Sequence, residues 1–286
     1  MTTFKAACVQ LRSGRSVEQN TADVERMVRQ AAAGGATYVQ TPEMTTLLEM
    51  KRADLMEKIS LEADDPSLKR YQALAAETGV TLHIGSMAVL MDDGKVANRG
   101  YVIGADGAIK DYYDKIHTFD VDLPGGESYR ESNTYRNGHR AVCVDLDWGR
   151  LGMGICYDMR FPDLFRAQAR AGAHILTAPA AFTRQTGEAH WHLLLRTRAV
   201  ENGCFVIAAA QAGQHEDGRE TYGHSIMIDP WGTVIGEADR EPGVVYADID
   251  LSLIDKIRGQ IPALANERDF DLPEQAAAAP SLRSVS

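Results

Sequence analysis

Apolar residues recur three and four positions apart in several stretches of the chain, the spacing that puts them on one face of a helix. Val24, Val28 and Ala31 form such a face, and two glycines at 34–35 end the helix that they predict. A second helix is predicted over 65–79, where an N-capping aspartate precedes a proline and a glycine closes the helix. Further helices are predicted at about 162–172, 188–202 and 252–258.

Short apolar runs separated by Gly, Asp and Asn predict strands, several of them joined as hairpins. Hairpins are predicted about turns at 104–107, 147–150 and 230–232, and other strands at 1–10, 37–40, 81–90, 174–178 and 204–210. This order mixes hairpins with strand–helix–strand units, which predicts a layered α/β fold with one mixed sheet or two sheets. We expect residues 1–271 to form one domain and residues 272–286 to be a loose C-terminal tail.

The composition is that of a globular protein, because 44% of the 286 residues are hydrophobic and 24% are charged. A net charge of −10 leaves no excess of basic residues, so nucleic acid and anionic membranes are not expected partners. No apolar run approaches the roughly 18–20 residues that span a bilayer. The first ten residues lack the pattern of a signal peptide, and the four cysteines form no CxxC pair. We therefore expect free thiols and a cytoplasmic location.

One of the four cysteines differs from the others. Those at 8, 143 and 204 lie inside apolar strand runs, which favours small buried side chains. Cys156 instead ends the apolar run 151–155 and precedes a polar turn that leads into a predicted helix. Ligands bind at strand ends in α/β folds, and N–H groups at such a turn can donate to an anion. Cys156 is therefore a candidate nucleophile, although most intracellular cysteines are inert.

Two charged residues stand in similar places. Glu43 follows the predicted strand at 37–40, and Lys115 follows the second strand of the first hairpin. Taken singly, each is more simply explained as an exposed loop charge. The sequence contains no Gly-x-Ser-x-Gly, no third glycine of a dinucleotide-binding loop after 152–154, and no Gly-Lys-Ser/Thr phosphate loop.

Histidines offer a further set of candidates. His190 and His192 flank Trp191, but a helix points them in different directions, and no third metal ligand is evident. His224 has two interpretations, a catalytic partner for a cysteine and a structural hydrogen-bonding residue, and we favour the second. The sequence therefore predicts no metal site.

Three stretches together resemble, in order and spacing, the Glu–Lys–Cys signature blocks of the nitrilase (carbon–nitrogen hydrolase) superfamily. They are Pro42-Glu43, Tyr-Asp-Lys-Ile-His at 113–117, and Gly-Ile-Cys-Tyr-Asp-Met-Arg-Phe-Pro at 154–162. The resemblance spans roughly residues 4–270, with further similar stretches at 119–122, 131–132, 186–191, 223–225 and 229–232. It implies an α-β-β-α sandwich subunit that pairs into an eight-layer dimer, alone or within a larger assembly of dimers.

The resemblance also implies a catalytic site. Glu43, Lys115 and Cys156 would form the triad, and Glu131 would be the second glutamate that many members place beside it. Cys156 would attack a small amide, while Glu43 takes and later returns the proton. Lys115 and the N–H of Tyr157 would stabilise the oxyanion. The products would be an acid and ammonia, released through a thioester, with no metal or organic cofactor.

Within the superfamily, the chain most resembles the branch that contains deaminated-glutathione amidase and omega-amidase. The stretches at 208–211 and 221–225 are more similar to the former. Membership of that branch implies that Arg160 meets a substrate carboxylate, for which its bidentate guanidinium is suited. It also implies that Phe182 and Thr186 line the pocket.

Several alternatives stay open. Arg160 could instead pair with Asp158 or Asp163, and the loop at 44–51 differs from the better-known members, which leaves the substrate undecided. The other candidate activities are those of an omega-amidase, an aliphatic amidase and an N-carbamoyl amide hydrolase. Outside enzymes, the candidate is a catalytically silent binding protein of the same fold.

Overall fold

The computed structural model describes residues 3–123, 126, 128–271 and 273. Within them the helices are α1 (Val17–Ala33), α2 (Arg52–Met56), α3 (Pro66–Thr78), α4 (Pro162–Arg170), α5 (Arg184–Asn202) and α6 (Ser252–Gln260). The strands are β1 (Thr3–Gln10), β2 (Tyr38–Gln40), β3 (Thr81–Leu90), β4 (Val96–Ile103), β5 (Ile109–Asp114), β6 (Asp120–Asp122), β7 (Ser128–Arg130), β8 (Tyr135–Arg136), β9 (Val142–Leu146), β10 (Gly149–Met153), β11 (Ile175–Thr177), β12 (Phe205–Ala208), β13 (Ala212–Gln214), β14 (Glu220–Tyr222), β15 (Ile226–Ile228), β16 (Val234–Glu237) and β17 (Gly243–Asp250). Short 3-10 helices lie at Glu62–Asp64, Glu131–Asn133 and Cys156–Arg160. The tail predicted at 272–286 falls outside the described residues, except for residue 273.

Most strands belong to two large sheets. The first has the order β17-β1-β2-β3-β4-β5, with β8 beside β4, and the second has the order β16-β15-β12-β11-β10-β9. Each contains parallel pairs at its centre, β1–β2–β3 and β10–β11–β12, and antiparallel pairs towards its edges. The strand pairs β4–β5, β9–β10 and β15–β16 are the three predicted hairpins. The prediction of a layered α/β fold with two sheets is therefore confirmed.

Strand β1 shows how the layers are built. Its residues alternate between two cores, because successive strand residues point to opposite faces of a sheet. Ala6 and Cys8 face the core that the two sheets share, whereas Ala7 and Val9 pack with α1 and α3. Helices α4 and α5 pack against the second sheet. The order of layers is therefore helix, sheet, sheet, helix, which confirms the predicted α-β-β-α sandwich.

The ends of α3 follow the predicted local chemistry. The Asp65 side chain accepts the N–H of Leu68 at 2.9 Å, so it caps the helix at its first turn. Gly79 closes the helix with a φ of 68°, in the left-handed region that favours glycine. No helix among the residues that the structure describes is long and apolar enough to cross a membrane.

Helix α5 begins at Arg184, earlier than the start predicted at about 188. The predicted start lies just after Gly187, a residue with low helix propensity. In the fold, a Cβ at this position would lie 2.3 Å from a ring carbon of Tyr222. Glycine therefore lets β14 pack directly against the first turns of α5, and this tertiary contact outweighs the low helix propensity.

Strand β17, which pairs with β1 along eight residues, was not predicted from the sequence. Its alternation was visible in the sequence, since Val245, Ala247 and Ile249 face the shared core, whereas Val244 and Tyr246 pack on the helix side. The shorter strands β6, β7, β8, β13 and β14 and the five-residue helix α2 were also missed, because each is too short to show a period.

Candidate active site

Three residues singled out from the sequence follow strand ends and meet between the two sheets. Glu43 lies three residues beyond β2, Lys115 directly follows β5, and Cys156 lies three residues beyond β10. Their side chains are almost fully buried and line one cavity, together with Glu131. The fold thus brings together all four residues that the resemblance placed at a catalytic site.

Lys115 lies between two carboxylates. Its Nζ donates to Oε1 of Glu43 at 2.8 Å and to Oε2 of Glu131 at 2.9 Å. The amide of Asn98 donates to the same two side chains, to Glu43 at 2.9 Å and to Glu131 at 3.1 Å. The two carboxylates therefore share these two nitrogen donors, and the positions of all three charged groups are fixed relative to one another.

The second oxygen of Glu43 accepts the N–H of Ala181 at 2.9 Å, and the carboxylate lines the same cavity as the thiol of Cys156. Burial alone would raise the pKa of Glu43, but the charge of Lys115 and these hydrogen bonds hold that pKa below its ordinary value. Burial and the negative charge of Glu43 raise the pKa of Cys156 well above that of a free thiol. At neutral pH a protonated thiol therefore faces an ionised carboxylate that can accept its proton.

The positive charge of Lys115 is secure at this site. Burial works against the ammonium, but the charges of Glu131 and Glu43 hold the pKa of Lys115 well above its ordinary value. The group therefore stays charged at neutral pH. It can stabilise negative charge that develops on a ligand beside Cys156.

The backbone at Cys156 is held in an unusual conformation. Its φ is 48°, in the left-handed region that residues with a side chain rarely adopt. The turn that follows is fastened by the buried Asp158, which accepts the N–H of Ile155 at 2.9 Å and the hydroxyl of Tyr113 at 2.8 Å. The other oxygen of Asp158 accepts the N–H of His117 at 3.0 Å. These contacts maintain the strained turn and aim the thiol into the cavity.

The cavity has a volume of about 230 Å³, which suits a small molecule. It is lined by the charged side chains of the site and by three of the residues predicted to bind substrate, namely Tyr157, Phe182 and Thr186. The hydroxyl of Thr186 lies 2.7 Å from that of Thr183. The wall thus combines apolar rings with a few hydroxyls around the buried charges.

Arg160 lies behind this wall and is not among the residues that line the cavity. Its guanidinium carbon lies 5.4 Å from the centre of the Phe182 ring and 5.8 Å from that of the Tyr157 ring. One nitrogen lies 3.3 Å from Nδ1 of His190. Over the described ranges of the chain, Arg160 has no carboxylate partner, so it forms an ion pair with neither Asp158 nor the aspartate at 163.

Two residues of the cavity region were missed from the sequence. Asn98 links the two carboxylates, and its position in the interior of the apolar strand β4 was a usable signal. Arg219 lines the cavity and pairs at 2.7 Å with Asp217, whose side chain is fully buried. Arg219 directly follows a polar turn at 216–218, so only the fold shows its location.

The remaining cysteines and histidines lie elsewhere. Cys8 and Cys204 are buried in the core, and Cys143 is partly buried. His224 hydrogen-bonds Glu237, and none of the described residues that line the cavity is a histidine. Among the described residues, Cys156 therefore has no histidine beside it in the cavity that could act as its catalytic base.

A model of the carbon–nitrogen hydrolase family matches residues 5–259. The chain belongs to the carbon–nitrogen hydrolase family. The resemblance noted from the signature blocks is therefore confirmed. The matched residues include both sheets and the three charged residues Glu43, Lys115 and Glu131.

Relatives of this carbon–nitrogen hydrolase share most of its length. A deaminated glutathione amidase of Yersinia enterocolitica is 38% identical over 271 residues, which cover 94% of each chain. The deaminated glutathione amidase of Mus musculus is 38% identical over 267 residues, 92% of this chain and 82% of that one.

Solved structures show the same carbon–nitrogen hydrolase fold. The NitFhit protein of Caenorhabditis elegans is 33% identical with a TM-score of 0.88, over 93% of this chain and 65% of that one. Saccharomyces cerevisiae Nit3, described as a member of branch 10 of the nitrilase superfamily, is 29% identical with a TM-score of 0.82, over 91% and 94%. The sandwich is thus shared with experimentally determined members.

Proposed function

We propose that this enzyme hydrolyses a small amide that carries a carboxylate, with Cys156 as the nucleophile. The observation that carries the proposal is the meeting of the Cys156 thiol, the ionised carboxylate of Glu43 and the ammonium of Lys115 in one buried cavity. A silent binding protein of this fold would have no need to keep a buried base, a buried cation and a thiol in one small cavity.

In the first step, the sulfur of Cys156 attacks the carbonyl carbon of the amide as Glu43 takes the thiol proton. The carbonyl oxygen gains the negative charge. Lys115 and the N–H of Tyr157 stabilise this oxyanion, and each such donor contributes about 2.7–4 kcal/mol. Because the ammonium of Lys115 is already held in place, little reorganisation is needed as the charge develops.

In the second step, Glu43 returns the proton to the amide nitrogen and the C–N bond breaks. The nitrogen leaves as ammonia or an amine, and the acyl group remains on Cys156 as a thioester. Water then attacks the thioester, with Glu43 again as the base, and the acid is released as the thiol regains its proton. These steps need no metal or organic cofactor.

Glu131 acts in this scheme as a positioning residue for Lys115. Its Oε2 accepts both the ammonium and, at 2.6 Å, the N–H of Phe119, so the loop after β5 holds the carboxylate in place. Asn98 ties Glu131 to Glu43. The second carboxylate also keeps the site negative, which favours the neutral thiol until substrate binds.

We propose deaminated glutathione, or a similar 2-oxo-acid amide, as the substrate. The support is the activity named for the relatives together with the environment of Arg160. That guanidinium lies behind the cavity wall and has no anionic partner within the described residues, whereas two arginines that line the cavity, Arg130 and Arg219, are paired with Asp122 and Asp217. A carboxylate that enters past the rings of Tyr157 and Phe182 would find in Arg160 an uncompensated charge.

The wild-type enzyme is expected to prefer a carboxylate-bearing amide over its neutral methyl ester by about 10- to 100-fold in kcat/KM. This ratio corresponds to the free energy of one charge-assisted hydrogen bond. Arg160→Leu should lose most of that preference, and Arg219→Leu should keep it. The assay follows the released 2-oxo acid, because deaminated glutathione yields an amine and a primary amide yields ammonia. Equal rates on both substrates in the wild type would instead favour an aliphatic amidase.

The pH profile follows from the two shifted groups. Glu43 must be ionised, and its pKa is lowered from 4.5, while Cys156 must be protonated, and its pKa is raised well above 9.0. We therefore expect kcat/KM to stay flat from about pH 5 to pH 8.5, without an inflection near the ordinary histidine pKa of about 6.5. An inflection between pH 6 and pH 7 in fully folded enzyme would indicate a histidine base and contradict the assignment.

We further propose that residues 1–271 act as one catalytic domain that pairs into a homodimer. Leu193, Val200 and Trp231 are more than half exposed, and Val200 lies close to Gly232 next to Trp231, so they form an apolar patch on and beside α5. Light scattering at micromolar concentration should give at least twice the chain mass of 31.3 kDa. A monomer alone would refute the pairing.

All four cysteines are free, which supports a location in the reducing cytoplasm.

A further inference from the structure

Two histidines and a glutamate from distant parts of the chain meet on the surface beside the second sheet. His192 lies on α5, His224 follows β14, and Glu237 ends β16. Nε2 of His192 lies 2.8 Å from Oε1 of Glu237, and Nδ1 of His224 lies 2.9 Å from the same oxygen. One nitrogen from each ring and one carboxylate oxygen all lie within 4.8 Å of one another. The sequence showed His192 without partners because the other two residues come together only in the fold.

We propose that His192, His224 and Glu237 bind a divalent transition-metal ion such as Zn²⁺. Two imidazole nitrogens and one carboxylate oxygen are a donor set that zinc uses, whereas Mg²⁺ and Ca²⁺ prefer oxygen alone. Zinc bonds of about 2.0–2.2 Å in a tetrahedron place ligand atoms about 3.3 Å apart. The distance between each histidine nitrogen and the glutamate oxygen would therefore increase by about half an ångström when the ion replaces the protons that these atoms share.

The ring of His224 is held in position by contacts other than that with Glu237. Its backbone has a φ of 56°, its N–H donates to the carbonyl of Asp239 at 3.0 Å, and its carbonyl accepts the indole N–H of Trp191 at 2.8 Å. The ring stacks on Tyr222 with centres 4.4 Å apart. The cluster is thus preorganised, which lowers the cost of ordering ligands around an ion.

Arg240, a cation close to the tyrosine that stacks on His224, is already paired with a carboxylate. The guanidinium of Arg240 lies 5.9 Å from the ring centre of Tyr222 and is paired at 3.0 Å with Glu188. The site is separate from the cavity, since neither His192, His224 nor Glu237 lines it. The inference therefore does not depend on the proposed amidase activity. A bound ion would fasten α5, the helix that carries Thr186 to the cavity, to strand β16.

Isothermal titration with Zn²⁺ tests the site on the full chain carrying Cys156→Ala, which removes the competing thiol. We expect one zinc ion per chain with micromolar affinity and a rise in Tm on zinc addition. His192→Ala and His224→Asn should weaken binding at least tenfold, whereas His139→Ala, at an exposed histidine outside the cluster, should not. Asparagine is chosen at 224 because it tolerates the left-handed backbone.

A second variant, Glu237→Gln, keeps an acceptor for both rings but removes the charge. It should fold with the Tm of the parent in the absence of zinc and bind zinc at least tenfold more weakly. If the parent binds no zinc stoichiometrically, or if the cluster variants bind it as tightly as the parent, the proposal is wrong and the cluster is only a hydrogen-bonded link between α5 and β16.

Discussion

Replacement of Cys156 by alanine is expected to lower kcat/KM for the amide substrate by at least about 10⁴-fold, as removal of a catalytic nucleophile does in other hydrolases. A thioester needs a thiol, and Cys156 is the only cysteine among the described residues that line the cavity. Its side chain packs at the edge of the cavity, so the loss of one sulfur atom should change the free energy of unfolding by less than about 1 kcal/mol.

Cys204→Ala is the matched control for that experiment. Cys204 is fully buried, and its sulfur contacts the guanidinium of Arg258 at 3.0 Å, far from the cavity wall. This variant should lose about 1 kcal/mol of stability and keep its activity. An alanine variant at 156 that still turned over substrate, or a loss of activity at 204 without unfolding, would be incompatible with Cys156 as the nucleophile.

Lys115→Met should be damaging in two ways. It removes the ammonium that stabilises the oxyanion, so we expect activity to fall by about 10²–10³-fold or more. It also leaves Glu43 and Glu131 buried without their cation, for which a loss of about 3–5 kcal/mol in the free energy of unfolding is expected at pH 7. Urea denaturation and steady-state kinetics on the same preparation measure both effects.

The pH dependence of that loss identifies its cause. In the wild type, the lowered pKa of Glu43 contributes stability that is present above pH 4.5 and lost as the pH falls through the folded-state value. In the variant the two carboxylates repel each other, their pKa rises, and protonation relieves the repulsion. The difference in stability between the two proteins should therefore shrink from pH 7 to pH 5.

Lys110→Met is the control for charge alone. Lys110 lies on the same strand, β5, in an exposed pair with Asp106, and its removal should change stability by less than about 0.5 kcal/mol. If Lys115→Met were no more destabilising than this surface change, the buried ion cluster could not have the role assigned to it.

Much of the fold was predictable because its signals are local. The helical spacing around Val24, the cap at Asp65 and the three hairpin turns depend on neighbouring residues, and the structure confirms each of them. Strand β17 and the first turns of α5 were harder to predict because they form through long-range contacts. The pairing of β17 joins residues that are more than 230 positions apart, and the close contact between Gly187 and Tyr222 forms only in the fold.

The site was predictable to a different degree. Spacing alone gave weak signals at Glu43, Lys115 and Cys156, and only their joint resemblance to a known family linked them. Asn98 and Arg219 could not be assigned in this way, because their importance comes from which side chains they meet across the two sheets. The location of Arg160 behind the aromatic wall likewise depends on packing that spacing does not encode.

The central claim, a thioester on Cys156, can be tested directly by quenching wild-type enzyme in acid during turnover of deaminated glutathione and measuring the mass of its peptides. The account predicts that the peptide containing Cys156 gains the mass of the acyl part of the substrate. The adduct should be labile to hydroxylamine and should be absent from Cys156→Ala. Two results would contradict it. One is turnover without any adduct in Glu43→Gln, the variant in which deacylation is slowed, and the other is an adduct on a residue other than Cys156.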